Sequence, residues 1–183
     1  MKKTINLLIA LFITTLAFAQ DFKGNVSGTF GLINTKVRVQ LEMPLKSRTS
    51  YGINMNYYLV NWKGPILEPF IRIYGGKASN TEGFFGQAKL IYGNLTTVND
   101  LLYSGTLENK RWSTYGFGIN CGYKFLIGDN FTIEPLAGVR YLSPPLYGTE
   151  TGNNGATNTG EAIGWYILTG FPIDFQLKFG YQF

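Results

Sequence analysis

Over residues 173–183 every second position is apolar: Ile173, Phe175, Leu177, Phe179, Tyr181 and Phe183 alternate with Asp174, Gln176, Lys178, Gly180 and Gln182. Successive side chains of a strand point to opposite faces, so a period of two builds one greasy face and one polar face, which a helix cannot do. One such run arises by chance in a chain of 183 residues; a series does not. The alternation returns at residues 36–43, 50–60, 67–74, 112–125 and 131–141, and more weakly at 26–33 and 84–93. Several of these runs have the 9 to 11 residues that a tilted strand needs to cross a hydrocarbon layer. Gly116, Gly118 and Gly122 share a polar face inside one run. That composition suits a narrow interior better than a face washed by solvent.

Connection lengths give an independent reading, because membrane barrels join their strands by short turns on one side and longer loops on the other. Counting back from Phe183, residues 142–169 and 94–111 become long loops on one side, joined there by the short 61–66 loop and a tight 34–35 connection. The turns 126–130, 75–83 and 45–49 fall on the opposite side with both chain ends. The fold expected is all-β: a single up-and-down antiparallel transmembrane β-barrel of eight strands, spanning residues 20–183. Two features resist. Pro69 and Pro135 fall inside proposed strands of a barrel that has no free edge, so a bulge or a strand end is expected at each. Residues 162–169 are too apolar for a solvated loop and fit either an extension of the last hairpin or a ninth strand that would upset the count.

The first nineteen residues have the parts of a secretory signal peptide: Lys2 and Lys3, an apolar stretch over residues 5–16, and Ala17-Phe18-Ala19 as a small-x-small cleavage site. The stretch falls short of the roughly 18 to 20 residues of a spanning helix. Cleavage after Ala19 would leave 164 residues and lower the formal charge from +5 to +3. That mild excess, without basic runs interleaved with aromatics, gives no reason to expect nucleic acid as a partner. The single Cys121 is expected to face lipid as a small hydrophobe.

Chemistry is sparse. The chain has no His, which excludes Ser-His-Asp, His-Cys and His-ligated metal sites. No spacing supports a Ser-Lys or paired-carboxylate mechanism, so the expectation is a non-enzymatic protein without cofactor or metal. The polar phase of the strands instead turns Arg38, Glu42, Glu68, Arg72, Lys89, Lys124, Glu134, Arg140 and Lys178 inward. An eight-stranded barrel is just wide enough for side chains to fill it, so these charges are expected to pair into a structural plug. A gate or relay made by Glu68 with Arg72, or by Glu134 with Arg140, is the alternative. Trp165, Tyr166, Ile167 and Leu168, beside a Gly-, Asn- and Thr-rich loop, form a candidate extracellular contact.

These residues resemble the small eight-stranded outer-membrane barrels of the OmpA-barrel and OmpX type. The C-terminal run, with Phe179, Tyr181 and Phe183, is similar to the recognition strand by which such barrels are assembled. Gly31-Leu32-Ile33, residues 37–42, Gly83-Phe84-Phe85 and Gly116-Phe117-Gly118-Ile119 with Gly122-Tyr123-Lys124 look like the pattern of small bacterial barrels of unknown function. The resemblance implies a bacterial outer-membrane location with both termini in the periplasm. It implies outer-membrane lipid and lipopolysaccharide as surroundings, and the barrel-assembly machinery as a partner during insertion. An extracellular or periplasmic protein partner stays open. The function expected is a structural or loop-mediated binding role in the envelope. The alternatives are a conduit for small hydrophobic molecules with a lateral opening near Pro69 or Pro135, and a secreted soluble β-barrel ligand binder.

Overall fold

A computed structural model describes residues 24–31, 35–46, 48–60, 62–75, 82–98, 111–143, 166 and 172–183. The alternating runs become β1 (Asn25–Gly31), β2 (Lys36–Lys46), β3 (Thr49–Tyr58), β4 (Trp62–Tyr74), β5 (Gly83–Thr97), β6 (Arg111–Ile127), β7 (Phe131–Leu142) and β8 (Ile173–Gln182). Each pairs antiparallel with its sequence neighbours, and β1 pairs with β8, so the eight strands form a closed barrel. The expected signal peptide, 1–19, lies outside the described residues. So does the 162–169 segment except Tyr166, which is not in a strand.

Register fixes the shape. Following the ladder from Asn25 across β2 to β7 leads to Arg140, whose amide meets the carbonyl of Pro172, whereas the β8 partner of Asn25 is Gln182. The sheet therefore closes with an offset of ten residues. For eight strands 4.8 Å apart, that offset tilts them by about 40° to the barrel axis.

The molecule is inside-out compared with a water-soluble domain. Among the described residues, 23 of the buried ones are polar or charged and 11 are hydrophobic, so the interior is held by polar contacts. The outer wall is apolar: Val39, Met55, Leu67, Ile71, Leu90, Ile119, Val139 and Phe175 face outward at mid-height, and Phe175 is 72% exposed. Exposed aromatics ring this belt at two levels. Tyr51, Phe84, Tyr123, Phe131 and Tyr181 lie toward the end with the termini, and Tyr57, Tyr92, Tyr115 and Tyr141 toward the other. The register puts about 20 Å of height between the two rings.

Several strands are longer than the alternation suggests. β4 begins at Trp62 rather than at residue 67, β5 runs on to Thr97, and β2 continues to Lys46, which narrows the expected 45–49 turn. In β4 the apolar residues change phase above the upper aromatic ring. Leu67, Ile71 and Ile73 point outward, but Trp62 and Ile66 point inward, with Lys63 outside. Leu95 in β5 and Trp112 in β6 invert in the same way. The sheet continues while its greasy face turns from the outer wall to the interior, which a strict period of two cannot show.

The bulges expected at the prolines are absent. By register Pro69 faces Leu90 and Pro135 faces Tyr123; at each the ladder lapses for two residues, with the register unchanged on either side. On their other sides Pro69 pairs with Ile53 and Pro135 with Leu177. An antiparallel residue aims its N–H and C=O at one neighbour, so a proline removes a donor from one ladder and leaves the other whole. The register shift lies instead between Pro44 and Lys46, on the ladder between β2 and β3.

In phospholipid vesicles, Val39→Arg at mid-height is expected to lower the unfolding free energy by about 2 to 4 kcal/mol. Ser113→Arg, outward-facing but above the upper ring, should change it by no more than about 0.5 kcal/mol. Urea titration of the two variants checks both values.

Candidate functional site

All nine charges expected to turn inward do so, and each is buried. They separate into two tiers. Nearer the termini, Arg72 reaches across the lumen from β4. Its guanidinium grips Glu134 of β7 with both terminal nitrogens, NH2 to Oε1 at 2.5 Å and NH1 to Oε2 at 2.9 Å, and NH1 also meets Glu42 of β2 at 2.9 Å. Its Nε donates to Gln87 at 2.7 Å, and its cation lies 4.8 and 4.2 Å from the ring centroids of Phe70 and Phe85. Glu42 is further held by Lys124 at 2.5 Å, by the Tyr74 hydroxyl at 2.6 Å and by Ser50 at 2.5 Å. Lys178 lies 3.4 Å from Glu134 and donates to Gln40.

The second tier centres on Lys89, whose ammonium bridges Glu68 of β4 at 2.8 Å and Asp174 of β8 at 2.7 Å. Asn54 donates to Glu68 at 3.3 Å, while Asn120 and Gln176 donate to Asp174 at 3.0 and 2.8 Å. Arg140 stands 3.7 Å from Asp174, and Arg38 donates through Nε to Asn56. Above this tier Tyr58, Trp62, Ile66, Ile91, Leu95, Trp112 and Leu142 make an apolar cluster, and Tyr166 packs against it.

Neither pair suggested as a gate forms. Glu68 meets Lys89 rather than Arg72, and Glu134 meets Arg72 rather than Arg140. Glu68 and Arg72, four apart on one strand, are about 13 Å apart along it, and Glu134 and Arg140, six apart, about 20 Å, so partners come from facing walls at one height. Asp174 and Lys36 sit on the same polar phase as the expected charges and complete the network; that phase was the signal for including them. Tyr74, Gln40, Gln87 and Asn120 carry no charge to draw notice, and closure of the barrel brings them to the ionic groups.

Of the candidate contact residues, Tyr166 is half-buried against the apolar cluster, and Trp165, Ile167 and Leu168 lie outside the described residues. Phe179 and Tyr181 face outward from β8, and the amide of Phe183 donates to the carbonyl of Gly24 at 3.0 Å. At the Pro69 gap the outer wall carries a groove of about 480 Å³ lined by Pro69, Ile71, Ala88, Leu90, Phe117 and Ile119. The inward side chains behind it, Phe70 and the Lys89–Glu68 pair, occupy the lumen.

Eight strands closed on an ionic interior and wrapped in an apolar belt define a small up-and-down barrel. Among solved structures, the chain is similar to the N-terminal β-barrel domain of OprF from Pseudomonas aeruginosa, with a TM-score of 0.53 and 14% identity over 88% of this chain and 96% of that one. The resemblance to small eight-stranded barrels is thus borne out in the fold. No family model and no curated protein matches the sequence.

Removing Arg72 takes a shared guanidinium from two buried carboxylates, leaving Lys124 to Glu42 and Lys178 to Glu134, and Arg72→Met should cost about 3 to 5 kcal/mol of stability. A double-mutant cycle with Glu134→Gln should return an interaction energy of about 0.5 to 3 kcal/mol, because the pair acts as one unit.

Proposed function

We propose that the chain is an integral outer-membrane protein of the bacterial envelope, with both termini in the periplasm and a structural or loop-mediated binding role. One observation carries this reading: an apolar belt between two aromatic rings surrounds an interior made of paired charges. Water would penalise such a wall, and a hydrocarbon layer requires it. The placement of short turns at the end with the termini and long connections at the other supports the orientation.

The interior argues for a plug rather than a reaction centre. Glu42, Glu68, Glu134 and Asp174 are all buried and each meets at least one cation within 4.0 Å, so none is available as a general base. Work outside the membrane falls to the connections, 99–110 and 144–171 above all.

A second reading, lateral passage of small hydrophobic molecules, has the groove beside Pro69 in its favour. It requires Phe70 and the Lys89–Glu68 pair to leave the path.

Heat-modifiable migration in SDS gels tests the main reading. The unheated protein should run as a fast band confined to the outer-membrane fraction and shift slower on boiling; soluble recovery without a shift overturns it. Liposomes carrying the protein should show no swelling in small sugars. Hydrophobic dye uptake that is lost in Leu90→Trp would establish the lateral path instead.

A further inference from the structure

Among the described residues the upper tier does not balance its charges. Lys36, Arg38, Lys89 and Arg140 bring four cations to it, against the two carboxylates Glu68 and Asp174. Both carboxylates are already taken up, by the Lys89 ammonium at 2.8 and 2.7 Å and by the amides of Asn54, Asn120 and Gln176. Arg38 is 3% exposed and has no carboxylate within 4.0 Å among the described residues; its Nε binds the Asn56 side-chain oxygen. That bond fixes the Asn56 amide and leaves its Nδ2 donor buried with no partner among the described residues.

Lys36 and Arg140 stand at the same height, Arg140 with Asp174 3.7 Å away. Lys36 pairs across the ladder with Tyr58, as Arg38 does with Asn56. The Lys36 ammonium is 3.4 Å from the Tyr58 hydroxyl and 5.1 Å from its ring centroid. Arg140 hydrogen-bonds to the same Tyr58 from the opposite wall. A cluster of like charges in a low-dielectric interior is costly unless an opposite charge sits among them. Beside Arg38 the Asn56 Nδ2 is a buried donor without a partner among the described residues, while the side-chain oxygens of Asn54, Asn120 and Gln176 are buried acceptors of the same tier in the same position.

We propose that the upper tier of the lumen binds one small inorganic anion, a halide or an oxyanion, held by Arg38 and the Asn56 amide with Lys36 and Arg140 completing its surroundings. The guanidinium supplies paired donors for an oxyanion and a delocalised positive face for a halide. Among the described residues, the site lies nearest the end of the lumen where β1 stops at Gly31 and β2 begins at Lys36, beside the apolar cluster on the taller strands. The inference rests on the barrel interior and not on the membrane location.

The test is urea unfolding of the detergent-purified protein in the potassium salts of gluconate, chloride, bromide and phosphate at matched ionic strength. A ligand that binds the folded state raises the unfolding midpoint saturably. Chloride and bromide, or phosphate, should raise it above gluconate, and which of them does so separates a halide from an oxyanion site. Arg38→Gln and Lys36→Gln should each flatten the series; Lys36 lies at the half-buried mouth, so that variant decides the matter should Arg38→Gln fail to fold. Equal midpoints in all four salts, or an anion effect that survives Lys36→Gln undiminished, overturns the proposal. In bromide-soaked crystals an anomalous peak beside Arg38 is expected, and a flat map there counts equally against it.

Discussion

Arg72 ties three walls of the barrel together. It leaves β4, crosses the lumen, and meets Glu42 of β2 and Glu134 of β7. A sheet whose outer surface is apolar must place every polar side chain inside, where desolvation of a charge is affordable only against a partner of opposite sign. The core of this molecule is therefore a lattice of ion pairs, and its specificity comes from geometry: each carboxylate accepts from particular cations at one height. Hydrophobic packing, which usually holds an interior together, is confined to the Tyr74, Phe85 and Leu136 group and to the upper cluster around Trp62 and Trp112.

The strand pattern was legible because outward-facing and lumen-facing residues alternate through the belt. Phe175 and Lys178 announce their faces by chemistry alone. The extra turns of strand at Trp62, Leu95 and Trp112 were hidden by the change of phase. There the outer surface ceases to be apolar and the inner one becomes greasy, so the two templates cancel at the join. Membership of the interior was also legible, since Arg38, Glu42 and the others sit on the polar phase. Partnership was not. Strand spacing excludes Arg140 as the partner of Glu134, but that Arg72 takes its place depends on the ten-residue closure offset, a property of all eight strands that no local spacing records.

The prolines teach a related lesson about accounting for backbone bonds. Pro69 and Pro135 looked incompatible with a closed sheet because each lacks a donor. The ladder tolerates the loss on one side and remains paired on the other, at Ile53 and at Leu177, so no residue had to be inserted to accommodate them. The cost is local: the carbonyls of Leu90 and Tyr123 lose the donor that the register would bring them.

The upward extension of β4, β5 and β6 has a consequence for how the molecule is met from outside. By register Thr97 stands about 18 Å higher along the axis than Gly31, so the rim is cut obliquely, like the lip of a jug. Among the described strands, a bulky body approaching along the barrel axis would meet the crest of β5 and β6 before the low ends of β1 and β2.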